Sequence, residues 1–288
     1  LVGSRGLGDV YIRQVILLIQ YGVNIADIII IFIKNAISDE KSASAFSVEL
    51  IMTRDFNQPM NIAYVTLARY IVYIVVFGIW LRKISSGNER KQLIKRPVIP
   101  AIFLIILAGV AGQFFVDSAL TLARPFFSNA FSKYDEQITS QVFGASASYV
   151  LYIAIFFVAP IAEEILFRGL IQKYVGKFFH GIMDKGAALC TILFQALLFG
   201  IYHGNMIQGV YAFVLGILLG FLAVCFNSLI PGIIFHISIN TSILLTPITL
   251  LLFKTTATTI ISGVVCMVIL IGCIWLSVKV QKRLSTNK

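Results

Sequence analysis

Three short polar patterns interrupt the apolar stretches of this 288-residue sequence. The first, Glu163-Glu164-Ile-Leu-Phe-Arg168, closes the uncharged run VLYIAIFFVAPIA. The second is Phe199-Gly-Ile-Tyr-His203 and the third is His236-Ile-Ser-Ile-Asn240. On a helix, Glu164 and Arg168 share a face one turn apart, with the acid on the N-terminal side, the better order for an ion pair. They read as a mutually neutralising structural pair. Glu163 is rotated by about 100° from its neighbour and has no local cation, so it is a lone carboxylate with the profile of a general base. Phe199 can pack against His203 by the same one-turn spacing and fix its ring. His236 and Asn240 present an imidazole and a carboxamide on one face. With Glu163 and His203 they make a set of polar groups that could converge between helices. The bland alternatives are a solvated helix end for the acidic motif, since Gly169 and a basic loop follow it, and hydrogen-bonded packing for each intramembrane histidine. The third histidine, His180, lies in that basic loop and reads as a surface residue.

These residues need elements to position them, and composition says of what kind. The chain is 58% apolar and 12% charged, against about 25% charged in soluble domains, and its mean hydropathy is +0.91. A water-soluble fold could not hide this much apolar surface. The expected fold is an all-α, polytopic membrane bundle forming a single domain over residues 1–288. A span needs about 20 mostly apolar residues, and eight candidates stand out: 11–33, 60–81, 98–118, 144–172, 186–203, 209–226, 231–253 and 256–278. The first is interrupted by Arg13, Gln14, Gln20, Asn24 and Asp27. Gly216 and Gly220 form a small-xxx-small pair suited to close helix packing. The four cysteines all lie in apolar segments without a CxxC pattern, as core or lipid-facing residues rather than a disulfide frame or thiolate metal site.

The net charge of +10 does not point to nucleic acid, because the cations fall in short loops between apolar segments. Loop 82–97, loop 173–185 and the C-terminal tail are all basic, and eight spans put them on one side together with Arg5. The positive-inside rule then gives a cell-membrane protein with both termini in the cytoplasm. Residues 119–143 read as an outer loop containing a short amphipathic helix. Helix counting places Glu163 and His236 ~9–15 Å from the cytoplasmic ends of their spans at 1.5 Å per residue, whereas His203 closes its span at the far side. For these groups to meet, the fifth helix must start later, tilt or dip.

The set EExxxR, FxxxH and HxxxN, each on its own apolar segment and in this order, resembles the CPBP (CAAX protease and bacteriocin-processing, or Abi) intramembrane glutamic endopeptidases, which include the Ras-converting CAAX protease. The resemblance covers about residues 155–245, which would be the catalytic core. It implies peptide-bond hydrolysis beside or inside the bilayer, on a small peptide, a bacteriocin or signalling peptide, or a membrane-protein tail. It further implies that Glu163 and His203 activate the water, that His236 and Asn240 hold the oxyanion, and that Glu164, Arg168 and Phe199 support them. Glu163, His203 and His236 could instead form a His₂Glu zinc site with water as fourth ligand. There is no HExxH pattern, and such a site leaves Asn240 no task beyond orienting a ligand. The metal-free reading, with no cofactor, is therefore preferred and zinc kept as the alternative.

Two other protease signatures are declined. Gly6-Leu-Gly-Asp9 matches the GxGD of aspartyl intramembrane proteases, but Asp27 and Asp117 are isolated. Gly144-Ala-Ser146-Ala resembles a rhomboid serine motif at a position where small residues are ordinary packing. A non-catalytic membrane scaffold of the same family and a proton-coupled carrier are the rival functions. The carrier predicts inverted repeats, and no internal repeat is visible.

Overall fold

The computed structural model of the chain describes residues 59–139, 148–183 and 185–286. Among these lie ten helices and no strand. Helix α1 (Pro59–Ile84) leads into the short α2 (Gly87–Leu93), which is started by a reciprocal capping box between Ser86 and Glu89. Helix α3 (Ile99–Ala123) begins with a proline in its first turn, where the missing N–H costs nothing. A 3₁₀ turn at Arg124–Phe126 and the amphipathic α4 (Ser128–Ile138) follow. The long α5 (Tyr149–Ile182) is succeeded by α6 (Ala187–Tyr202), α7 (Met206–Phe226), α8 (Ile230–Ser242), α9 (Thr246–Leu252) and α10 (Thr256–Thr286).

The expected all-α membrane bundle is the fold that forms. Among the described residues five helices are long and apolar enough to cross a bilayer, namely α1, α3, α5, α7 and α10, while α6 and the segment Ile230–Leu245 are apolar but shorter. The expected first span, 11–33, the Gly6–Asp9 motif and Ser146 lie outside the described residues.

Two boundaries differ from expectation in ways that matter. The span expected at 231–253 is broken by a 3₁₀ turn at Ile243–Leu245. Pro247, in the first turn of α9, has no N–H to give to the turn before it and clashes with the carbonyl four residues back. The span expected to stop at residue 172 instead runs to Ile182, so most of the expected 173–185 loop is helix. Gly169 does not terminate it, because this glycine serves packing. A Cβ built there would lie 2.8 Å from the Leu81 side chain of α1.

The basic segments gather at one end of the bundle. Lys173 Nζ donates to the Ile84 carbonyl at 3.2 Å, to Ser85 Oγ at 3.0 Å and to Glu89 Oε2 at 3.1 Å. The backbone N–H of Val98 donates to Gln281 Oε1 at 2.8 Å, and Ser228 Oγ, in the α7–α8 turn, donates to the Lys95 carbonyl at 2.8 Å. α3 packs between α8 and α10. The core that holds α5 to its neighbours is built on Phe77, Phe167, Leu170, Leu219 and Phe235.

Candidate active site

Glu163 and Glu164 sit midway along α5, between two stretches where the helix widens to π geometry, Ala154–Val158 and Ile165–Ile171. Such widenings often mark functional sites. The first has a direct consequence. The Ala159 N–H donates to the Ala154 carbonyl, five residues back, and residue 160 is a proline without an N–H. The Ile155 carbonyl is thereby stripped of its backbone donor. Asn240 Nδ2, reaching across from α8, donates to it at 3.1 Å.

The expected i,i+4 pair is present. Arg168 Nη1 donates to Glu164 Oε1 at 2.9 Å, and both side chains are fully buried. Arg168 Nη2 also donates to the Gly216 carbonyl at 3.2 Å, which accepts from Gln195 Nε2 at 2.8 Å as well. Gly216 thus does more than permit close packing: without side chains, it and Gly220 let α7 abut Ala196 and Gln195 of α6, while the Gly216 carbonyl meets the guanidinium from α5. The Arg168 guanidinium lies over the Phe199 ring, 4.5 Å from its centroid.

Glu163 is not the isolated carboxylate expected from its helix alone. His236 lies between the two glutamates, with Nδ1 3.1 Å from Glu164 Oε1 and Nε2 3.7 Å from Glu163 Oε2. The partner came from α8, seventy residues away, where counting along one helix cannot find it. Glu164, ionised against Arg168, is acceptor-only, so Nδ1 of His236 carries the hydrogen. Gly232, one turn before His236 on α8, makes this approach possible, for a Cβ there would lie 2.7 Å from Glu164 Oε2.

His203 caps the C-terminus of α6. Its Nδ1 is 2.8 Å from the Phe199 carbonyl, which fixes the Nδ1–H tautomer and leaves Nε2 as an acceptor. Phe199 packs edge-on against His203 at 4.8 Å and against His236 at 5.8 Å between ring centroids, as the sequence spacing suggested for His203. The mismatch in depth disappears for a simple reason. α6 has only 16 residues, ~24 Å at 1.5 Å per residue, and it starts beside the extension of α5, with Gly176 facing Thr191. Its C-terminus therefore ends at the level of Glu163 instead of the far surface.

Glu163, His203, His236 and Asn240 all line one cavity of ≈ 330 Å³. Its remaining polar lining, Tyr70, Gln113, Tyr134, Tyr202, Gln208 and Tyr211, was not singled out from the sequence. Tyrosine and glutamine recurring inside apolar helices was the available signal. α4 contributes Tyr134 and Ile138 to this lining. Among the described residues no group of three His, Cys, Asp or Glu side chains is arranged to hold a metal ion. His236 turns Nδ1 to Glu164 and Nε2 to Glu163.

No curated protein and no solved structure matches the chain. Residues 145–242 match the family model described as type II CAAX prenyl endopeptidase Rce1-like. That segment is about a third of the sequence and covers α5 to α8, the helices that carry both glutamates, both site histidines and Asn240. Over this segment the chain is similar to the CAAX protease family.

Proposed function

We propose that this protein is a metal-free intramembrane endopeptidase, acting on a small peptide, such as a bacteriocin or signalling peptide, or on the tail of a membrane protein. The observation that carries the reading is the convergence of Glu163, His203, His236 and Asn240 on one cavity inside the bundle. The similarity of residues 145–242 to a protease family adds to it. The clustering of basic segments at one end, taken with the positive-inside rule, supports a cell-membrane protein with that end in the cytoplasm, and both termini with it if eight spans are completed.

The chemistry follows from the donor and acceptor inventory. A water placed about 2.8 Å from both Glu163 Oε2 and His236 Nε2 fits beside the 3.7 Å gap between them. Glu163 accepts one of its protons as the oxygen attacks the scissile carbonyl carbon, and His203 Nε2 accepts from its second hydrogen and orients it. The carbonyl π electrons move to oxygen. Asn240 has one N–H on the Ile155 carbonyl and the second free for the oxyanion. His236 offers an Nε2–H when its ring carries both protons, and two carboxylates and one guanidinium around it balance that charge. Collapse of the tetrahedral intermediate breaks the C–N bond, and the proton held by Glu163 passes to the leaving amine. Each oxyanion donor is worth about 100- to 1000-fold in rate.

The test is cleavage of a quenched-fluorescence peptide library by the detergent-purified protein. Proteolysis that disappears in Glu163→Gln, His203→Ala and His236→Ala, with folding intact, supports the reading. Equal rates in these variants sink it, and no cleavage by the wild-type chain favours a scaffold.

A further inference from the structure

One carboxylate in the membrane-spanning part of the bundle has no place in this mechanism. Asp117 lies on α3, in a segment otherwise without charge. Intramembrane carboxylates are rare and are functional candidates by default. Asp117 Oδ1 accepts from Gln113 Nε2 at 2.8 Å, and Gln113 itself lines the catalytic cavity. Oδ2 is buried and has no hydrogen-bond partner among the described residues, a costly state for a polar atom in a low-dielectric interior.

The cavity is electrically lopsided. Among the described residues no lysine or arginine lines it, while Glu163 does and Asp117 stands behind Gln113. Arg69 is within electrostatic reach of two lining residues, Tyr70 and Tyr202. Arg124 is held by both carboxylate oxygens of Asp135. Asp117 is within electrostatic reach of two others, Tyr134 and Tyr211, whose rings meet edge to face at 6.3 Å. A carboxylate one hydrogen bond behind a wall that carries two tyrosines draws a cation to that wall, by charge and by contact with the ring faces.

Depth sets the distance from the chemistry. Gly109 of α3 abuts Ser238 and Phe235, and Gly112 abuts Phe235 and Ile239, so these glycines lie level with His236. Asp117 is five residues beyond Gly112, a rise of ~7.5 Å. That is about two residues of an extended peptide at ~3.3 Å each.

We propose that the part of the cavity lined by Gln113, Tyr134 and Tyr211, with Asp117 behind Gln113, is a subsite for a basic side chain of the peptide substrate, lysine or arginine, about two residues from the bond that is cut. This assignment rests on the proteolytic reading above and narrows its substrate class.

The test has two arms. In the first, internally quenched peptides carry lysine, arginine, norleucine or glutamate at each position in turn. The wild-type chain is expected to cleave peptides with a basic residue at one position about ten- to a hundredfold faster, in kcat/KM, than their norleucine counterparts. Asp117→Asn keeps the acceptor for Gln113 and removes the charge, so this ratio falls to near one while norleucine peptides are still cut. Should Asp117→Asn lower the unfolding midpoint, Asp117→Ser removes the same charge. In the second arm, the same peptide pool is selected for binding to Glu163→Gln protein. Enrichment of basic peptides there, lost when Asp117→Asn is added, supports the subsite even if no peptide is cleaved and the protease reading falls. No basic preference in either arm, or one that survives removal of the Asp117 charge in folded protein, overturns the proposal.

Discussion

His236 Nδ1 and Glu164 Oε1 stand 3.1 Å apart, and that same oxygen takes Arg168 Nη1 at 2.9 Å. Glu164 therefore both neutralises a buried guanidinium and fixes which nitrogen of His236 faces Glu163. The adjacent glutamates should then fail in different ways. Glu164→Ala leaves Arg168 buried and unpaired, a loss of about 3–5 kcal/mol for a broken interior pair, and its unfolding midpoint in detergent should drop clearly. Glu163→Gln should leave the midpoint near that of the wild type and remove cleavage. Glu164→Gln separates the two effects, because its amide can present an N–H to His236 and favour the wrong tautomer, with kcat expected to fall on the order of 10³–10⁴-fold. Equal midpoints for Glu163→Gln and Glu164→Ala would contradict this division of labour.

Asn240 is tied to α5 by a bond that exists because Pro160 and the π register free the Ile155 carbonyl. Asn240→Ala should cost about 100- to 1000-fold in kcat as a lost oxyanion donor, with a smaller effect on KM. It should also raise amide exchange around residues 154–160. Asn240→Asp replaces the donor by an acceptor opposite a carbonyl and should be the worse substitution on both counts. Should Asn240→Ala change KM alone, the carboxamide serves substrate binding and not the oxyanion.

Much of this was legible in the sequence, and the limits have physical causes. Pairs one helical turn apart, Glu164 with Arg168 and Phe199 with His203, follow from backbone geometry and could be read directly. The bridging of Glu163 and Glu164 by His236 could not, since its distance is set by how closely α8 approaches α5, which depends on Gly232. The depth of His203 was misjudged because Gly169 looks like a helix stop and is a packing residue, so α5 continues for another 13 residues to Ile182. The break after Ser242 was available from Pro247, but hydropathy ran smoothly across it.

Glycine 232 offers a test that touches no reacting group. A methyl at this position would meet Glu164 Oε2 at 2.7 Å, closer than van der Waals contact allows. Gly232→Ala should therefore displace Glu164 or push α8 outward, and cleavage should fall by at least about tenfold, since misplacement near 1 Å can cost about 100-fold. Gly272→Ala on α10, where a Cβ meets nothing within 4 Å, is the matched control and should be neutral. A fully active Gly232→Ala would mean that the spacing of α5 and α8 does not govern the site.

Metal removal discriminates the two mechanisms that the sequence left open. Without three converging ligands among the described residues, dialysis against 1,10-phenanthroline should leave the cleavage rate unchanged, and added zinc should not raise it. Loss of activity on chelation, restored by stoichiometric zinc, would overturn the glutamate mechanism and require the site to rearrange around an ion.

At the basic end, Glu89 provides a pH-dependent contact remote from catalysis. The backbone N–H of Ser86, and then Lys173, hold its carboxyl below the usual carboxylate range. A depressed folded-state value means that the contact contributes above the ordinary glutamate range and is lost as pH falls through the depressed value. The side chain is 52% exposed, so the effect is small and screened by salt. The unfolding midpoint of the wild type should exceed that of Glu89→Gln by a constant margin near neutrality, and the two should converge as the solution is acidified below the normal carboxylate range. Raising the ionic strength should narrow the neutral margin. A margin that persists undiminished in acid would show that Glu89 acts through its Ser86 cap geometry alone, and that its charge contributes nothing to holding α2 against α5.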